Sequence, residues 1–436
     1  MRYTCLWEMV GMKQYRIRGE TRLTGELCVG GAKNATLPIL AAVCLNESES
    51  IIHNCPRIAD TFVSIEILEA IGCRVKFVGN TLTVDSSGVF THEIPDDSAK
   101  KMRSSILFMG AMLGRMQKVN IALPGGCRLG ERAIDLHISG LRTMGATIHE
   151  CGDKLICSAR KLRGAKIRLS MASVGATENL MIAAVKAKGE TIIENAAREP
   201  EILDLARFLI GMGAEIYGAG TGTILIKGVK KLKSTSHYIM PDRIVAGTYL
   251  VATAMTEGNI KLKNVRTSDL IPITSRLIGM GCKISTTENE ITLVAPPRLL
   301  ALPRLITKIH PGFPTDMQAQ FVAALATANG RSLVTETIFD SRYLHAEEIN
   351  RMGGDIVVSP DKQTFDIQGK EQLFGTTVTS HDLRGGAALI LAGLYAEGET
   401  IVRNAEYVER GYENIVDNLT RLGADIRLEV VTLKDM

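Results

Sequence analysis

Cys127 lies in a glycine-rich loop, Leu123-Pro-Gly-Gly-Cys-Arg-Leu-Gly-Glu-Arg132, with Arg128 and Arg132 close by. Neighbouring guanidinium charge lowers a thiol's pKa and raises its thiolate fraction, and a loop exposes it to a reaction partner. The remaining eight of nine cysteines lack this setting and read as small apolar fillers. Asp316, in Phe313-Pro-Thr-Asp-Met-Gln-Ala-Gln320, follows a Pro-delimited turn at the opening of an apolar helix. It suits a helix cap and equally a general base toward a hydroxyl. His137 fits polar packing better than a ligand role, and His345-Ala-Glu-Glu lacks HExxH spacing, which argues against a metal. Gly218-Ala-Gly-Thr-Gly222 is not GxGxxG and reads as a hairpin turn.

A further set stands at the first turns of apolar helices: Lys33 with Asn34, Arg103, Ser173, Asp242 with Arg243, Asp316, and Arg384. Ser173, Asp242 and Asp316 are possible N-caps. The four cations oppose the positive end of the helix dipole, a mismatch of roughly 0.3–1 kcal/mol each. Cations placed against stability imply an anionic ligand, such as one carrying several phosphates or carboxylates.

The elements that position these residues repeat. The segments Glu69–Val75, Arg142–Ile148, Ile210–Ile216, Ile278–Ile284, Asn350–Ile356 and Thr420–Ile426 share one pattern, with Gly72, Gly145, Gly213, Gly281, Gly353 and Gly423 about 70 residues apart. Apolar residues one and four positions before each glycine have helical spacing, and Val or Ile stands three after it, so an amphipathic helix, a glycine C-cap and a strand are expected. Each unit also holds an Ala-rich helix apolar nearly all round, over 35–44, 104–113, 176–187, 247–255, 317–328 and 385–396. The unit is therefore strand, buried helix, strand, surface helix, strands. Two lobes of three units, each an inner helix bundle walled by sheets, shield all six apolar helices. Inner helices running parallel give each lobe a positive mouth, and the two mouths face across a cleft.

Composition limits the alternatives. Hydrophobic residues make up 45% of 436, and 51 basic against 47 acidic residues leave +4, too little to coat a polyanion. Aromatics at 5% argue further against nucleic acid. The longest mostly apolar runs, 36–45 and 387–396, fall far short of the ~20 residues that span a bilayer, so no membrane insertion is expected. Scattered cysteines without CxxC spacing suggest neither disulfides nor zinc, and a cytoplasmic protein is expected.

With these residues in place the chain resembles the UDP-N-acetylglucosamine 1-carboxyvinyltransferase family of enolpyruvyl transferases. The motifs are Gly31-Ala-Lys-Asn34, Leu123-Pro-Gly-Gly-Cys127 with Asp135-Leu-His-Ile-Ser-Gly-Leu141, Ser173-Val-Gly-Ala-Thr177, Glu194-Asn-Ala-Ala-Arg-Glu-Pro-Glu201, Phe313–Gln320 and Arg410-Gly-Tyr412. The resemblance covers residues 12 to about 430 in order. It implies a two-lobed inside-out α/β barrel of six βαβαββ repeats, three per lobe. One lobe, 34–241, would carry the Cys127 loop and part of the nucleotide-sugar site. The other, 1–33 plus 242–436, would carry Asp316, Arg384 and Arg410.

The reaction implied is addition of the sugar 3′-hydroxyl to C2 of phosphoenolpyruvate with protonation at C3, then loss of phosphate from a tetrahedral adduct. No cofactor or metal is implied. Lys33, Arg132, Arg384 and Arg410 match residues that hold phosphoenolpyruvate, Cys127 the family's acid and adduct-forming thiol, and Asp316 the base. Asn34, Arg103, Arg132, Ala133, Ile134, Asp135, Leu136, Ser173, Val174, Gly175 and Ile338 match positions that bind UDP-N-acetylglucosamine. His137 and Arg243 fall in family motifs with less defined roles. Ser is common in the family where Gly30 stands, and Ala59 replaces a residue often polar or basic. The sister 5-enolpyruvylshikimate-3-phosphate synthase has no Gly-Gly-Cys loop, and Asp135-Leu-His137 is foreign to it. A nucleotide-sugar sensor without activity would be expected to lose Lys33, Cys127, Asp316 or Arg410, and all four are present.

Overall fold

The six repeat glycines end six outer helices in the way their spacing predicts. These helices are Ala59–Ala70, Asp135–Thr143, Pro200–Gly211, Ile271–Gly279, Leu344–Arg351 and Ile415–Arg421 in a computed structural model that describes residues 11–125 and 134–432. Each repeat glycine has a positive φ, between 93° at Gly145 and 110° at Gly72, where a Cβ would be strained. The backbone then closes the helix end: at Gly213 the glycine N–H donates to Ile210 and the following Ala214 N–H to Leu209.

The apolar helices lie inside: Lys33–Ala42, Leu107–Met116, Val174–Ala184, Arg243–Met255, Gln318–Leu325 and Leu383–Tyr395. Two of them are preceded by 3₁₀ turns, Arg103–Ile106 and Thr315–Met317, which tighten the first turn where Arg103 and Asp316 stand. Around them stand six small sheets, five of four strands and one of three. The third unit shows the common pattern. Its leading strand Lys166–Arg168 pairs parallel with Glu190–Glu194, and Thr223–Lys227 then pairs antiparallel on the other side and carries Glu215–Tyr217 at the edge. Alternate residues of these strands are buried, so one face of each sheet covers the helices.

Four sheets depart from units read strictly in chain order. In the second unit the leading strand shrinks to a single bridge, Glu93 to Asn120, leaving three strands. The sixth sheet is completed by the first described strand, Gly11–Arg18, which lies antiparallel between Glu399–Arg403 and Asp425–Thr432. The first and fourth units exchange leading strands. Thr24–Cys28 precedes the first inner helix in sequence but pairs with Asn259–Lys263, and Thr235–Tyr238 precedes the fourth yet pairs with Glu49–His53. The chain crosses at Gly30–Ala32 and again at Met240–Asp242, and the two crossings run side by side. Ala32 N–H donates to the Met240 carbonyl at 2.8 Å and Asp242 N–H to the Gly30 carbonyl at 2.9 Å. Gly31 is required here, because a Cβ would stand 1.8 Å from the Asn54 carbonyl oxygen.

Buried apolar residues form two clusters. One runs from Ala32 to Met240, and the other joins Tyr15–Val29 to Ile244–Ile426. Among the described residues no helix is long and apolar enough to cross a membrane.

Gly213→Ala tests the glycine cap alone, since a Cβ there meets nothing within 4 Å. The expected loss is roughly 1–2 kcal/mol in urea unfolding, from backbone strain. Gly72→Ala should cost more, because its Cβ would also stand 2.3 Å from the Gly88 carbonyl oxygen.

Candidate functional site

The crossing segments bring the first turns of helices from both lobes together. Asp242 caps its own helix by accepting from the N–H groups of Ile244 and Val245 through Oδ1, and its Oδ2 accepts from the Lys33 N–H at 3.1 Å. One carboxylate thus joins the N-termini of the first and fourth inner helices. Next in chain, Arg243 is 9% exposed and donates Nε to Glu201 at 2.9 Å, from the outer helix Pro200–Gly211 of the other lobe. Lys33, 8% exposed, meets Asp60 at 2.8 Å. Asp60 also receives Nε and Nη2 of Arg410 at 2.8 and 3.1 Å. Burial pulls the Lys33 pKa down, Asp60 pulls it back up, Arg410 opposes, and the balance lies below the ordinary lysine value. For Asp60 burial works upward, but Lys33 and Arg410 outweigh it and its pKa is lowered.

Asp316 forms the second centre. Neither the 3₁₀ turn Thr315–Met317 nor the helix Gln318–Leu325 has a side-chain cap. Its carboxylate instead accepts from Arg384 Nη2 at 3.0 Å, from both terminal nitrogens of Arg342 at 3.2 Å, and from Asn34 Nδ2 at 3.4 Å across the lobes. Arg384 is almost wholly buried and lies over the Tyr412 ring. Burial acts to lower its pKa, but Asp316, Tyr412 and Asp242 prevail and raise it. Asp382 supplies the cap of this helix, accepting from the N–H groups of Arg384 and Gly385. Ile338 is fixed to the same region through buried Glu336, which accepts from the Ile338 N–H at 2.8 Å and from Thr315 Oγ1 at 2.8 Å.

In the first lobe a third group gathers around His137. Its Nδ1 lies 2.9 Å from Asn179 Nδ2 on the inner helix Val174–Ala184, and a Cβ on Gly175 would be 3.3 Å from its ring. Burial, with a smaller push from Arg103, brings its pKa down to about 4, so it is a neutral packing group at pH 7. Ser173 caps that helix through the Ala176 N–H, while Ile134, Leu136 and Val174 pack against the first core and Asp135 is exposed. Arg103, Ile134–Leu136 and Ser173–Gly175 are therefore neighbours, as the second and third inner helices are.

Of the residues singled out in sequence, Lys33 and Arg410 share Asp60, Asn34 and Arg384 meet at Asp316, and the adjacency of Lys33 and Asn34 in the chain sets these two centres side by side. Arg103, Ile134, Asp135, Leu136, Ser173, Val174 and Gly175 form the first-lobe group, and Ile338 flanks Asp316. Cys127, Arg128, Arg132 and Ala133 lie outside the described residues. Ser173 and Asp242 are caps; Asp316 is held by side chains. Sequence reasoning missed Asp60 and Arg342 and, although Glu201 closes one of the family motifs, gave it no part as the partner of Arg243. An acidic residue in the first turn of an outer helix was the available signal for Asp60 and Glu201; nothing local marks Arg342.

Residues 17–419 match the family EPSP synthase (3-phosphoshikimate 1-carboxyvinyltransferase). UDP-N-acetylglucosamine 1-carboxyvinyltransferase 2 of Caldanaerobacter subterraneus subsp. tengcongensis is 50% identical over 95% of this chain and 99% of its own. UDP-N-acetylglucosamine 1-carboxyvinyltransferase 1 of Symbiobacterium thermophilum is 47% identical over 95% of each chain, and the Finegoldia magna protein of that name 43% over 96% and 100%. Among solved structures, the enolpyruvyl transferase NikO of Streptomyces tendae superposes with a TM-score of 0.87 at 24% identity, covering 97% of this chain and 100% of its own. EPSP synthase of Acinetobacter baumannii follows with a TM-score of 0.70 at 19% identity, covering 96% and 100%. The two structures establish the mixed α/β enolpyruvyl transferase fold, and the closer sequences establish the branch: the chain belongs to the EPSP synthase family, among its UDP-N-acetylglucosamine 1-carboxyvinyltransferases.

Proposed function

We propose that this enzyme transfers the enolpyruvyl group of phosphoenolpyruvate to the 3′-hydroxyl of UDP-N-acetylglucosamine, the first committed step of peptidoglycan synthesis. The observation that carries this reading is identity of 43–50% with proteins of that activity over about 95% of the chain. The cross-lobe cluster of Lys33, Arg410 and Arg384 supports it, because a small dianion or trianion needs converging cations from both sides.

In this reading Lys33, Arg384, Arg410 and Arg132 hold the carboxylate and phosphate of phosphoenolpyruvate. Arg103, Asn34, Ile338, Arg132–Leu136 and Ser173–Gly175 hold the nucleotide sugar, the cap and free N–H groups of the third inner helix facing its phosphates. Asp316 takes the proton of the 3′-hydroxyl as the oxygen adds to C2, and Cys127 delivers a proton to C3. The tetrahedral adduct then expels phosphate as the C3 proton departs, so the double bond is restored and no redox partner is needed. The carboxylate of Asp316 reaches both lobes through Asn34 and Arg384, so closing the lobes and aligning the base are one event. A cytoplasmic setting suits the seven described cysteines, all free thiols.

Phosphate release from phosphoenolpyruvate with UDP-N-acetylglucosamine, against shikimate 3-phosphate as acceptor, separates this activity from that of EPSP synthase and from a noncatalytic sensor. Release only with the nucleotide sugar is expected; release only with the shikimate ester, or with neither, refutes it.

Asp316→Asn should lower turnover at least ~100-fold, the low end for general base catalysis. It should also destabilise the fold, since Arg342 and Arg384 at 3% and 4% side-chain exposure lose their counter-charge. A cost of about 3 kcal/mol is expected, the lower side for a broken buried pair because the carboxylate is a quarter exposed. Full activity per folded molecule would place the base elsewhere.

A small epoxide bearing a phosphonate pairs an electrophile with an anion and should alkylate Cys127 alone among nine cysteines. Peptide mass mapping checks this. Cys127→Asp should keep some activity and resist the reagent; label elsewhere, or an equally inhibited variant, counts against the thiolate reading.

A further inference from the structure

Asp60 is where the cations of the two lobes meet. It stands in the first turn of the outer helix Ala59–Ala70, and its side chain is 5% exposed. Oδ2 faces Lys33 Nζ at 2.8 Å, while Arg410, carried by the second lobe, forks onto both oxygens at 2.8 and 3.1 Å. We propose that Asp60 is a positioning residue of the anion site, tying Lys33 to Arg410 across the lobes and keeping the Lys33 ammonium charged. This rests on the reading of Lys33 and Arg410 as ligands of phosphoenolpyruvate.

The physical case begins with burial. An ammonium at 10% side-chain exposure, beside guanidinium groups and at a helix N-terminus, is poorly placed to keep its proton. Among the described residues the charged groups facing Lys33 are Asp60, Arg410 and Arg384, and Asp242 accepts from its backbone N–H. Asp60 is the anion that contacts the ammonium. A neutral lysine would not attract a phosphate, and Arg410 would lose the carboxylate onto which it forks, so removing Asp60 should disable both ligands at once. Asp60 itself needs no contact with substrate: it acts through the two cations.

The test measures binding of inorganic phosphate by calorimetry, and kcat/KM for phosphoenolpyruvate, from about pH 6 to about pH 9.5 on the full-length enzyme. Removing the carboxylate should move the basic limb of both profiles down by about one unit or more, so Asp60→Asn binds phosphate roughly tenfold more weakly above the midpoint of the wild-type limb and nearly as well as wild type on its acid side. KM for phosphoenolpyruvate should rise while that for UDP-N-acetylglucosamine holds. Asp60→Glu retains the charge and should keep the limb near its wild-type position. Lys33→Arg, always charged, should abolish the limb. If it does not, Lys33 is not the titrating ligand and the underlying reading of the anion site fails. If Lys33→Arg abolishes the limb but Asp60→Asn leaves it in place, or weakens binding equally at every pH, the positioning role is overturned. Should Asp60→Asn not fold, a limb displaced in Asp60→Glu also overturns it.

Discussion

A cation buried at the N-terminus of a helix is opposed by desolvation and by the helix dipole together. This protein accepts that arrangement at Lys33, Arg243 and Arg384. Each is offset by a carboxylate from a different element: Asp60 from the adjacent outer helix, Glu201 from the other lobe, Asp316 from the turn before the neighbouring inner helix. Since no helix supplies its own counter-ion, the inner helices must pack with their charged ends in one place. The convergence of those charged ends follows from the need to pair them.

Asp242 and Asp316 extend the same logic between lobes. Asp242 serves two helices through its two oxygens, so the crossing points of the chain and the helix N-termini are held as one unit. Asp316 carries the guanidiniums of Arg342 and Arg384 and touches Asn34 from the opposite lobe. A carboxylate in that position is at once counter-ion, inter-lobe contact and candidate base, which is why its replacement should affect folding and catalysis together.

Much of this architecture is legible along the chain because it repeats locally. A glycine with positive φ at the end of each outer helix leaves the same short signature six times, and the inner helices show by being apolar all round. Caps at Ser173 and Asp242 are readable from residue type and place. The exchange of leading strands is not, because Thr24–Cys28 finds its partner more than two hundred residues away and no local pattern records that pairing. Ion-pair partners are hidden for the same reason: Asp60 and Arg410 are 350 positions apart, and either alone looks like a surface charge. Asp316 was ambiguous because an acid opening a helix is ordinarily a cap. The surrounding guanidiniums, absent from its own segment, decide otherwise.

The strand exchange also bears on how the chain is made. A ribosome delivers Gly11–Arg18 and Thr24–Cys28 first, yet their partners, Asn259–Lys263, Glu399–Arg403 and Asp425–Thr432, emerge only in the second half of synthesis. The lobe built from the middle of the chain has all its strands once Thr235–Tyr238 is out, and can close while the rest is still being translated. Throughout that interval these N-terminal strands lack their sheet partners, and their hydrogen-bonding edges are open to self-association. Slowing translation past the midpoint would lengthen that exposure, and the last strand to leave the ribosome is the one that ends it.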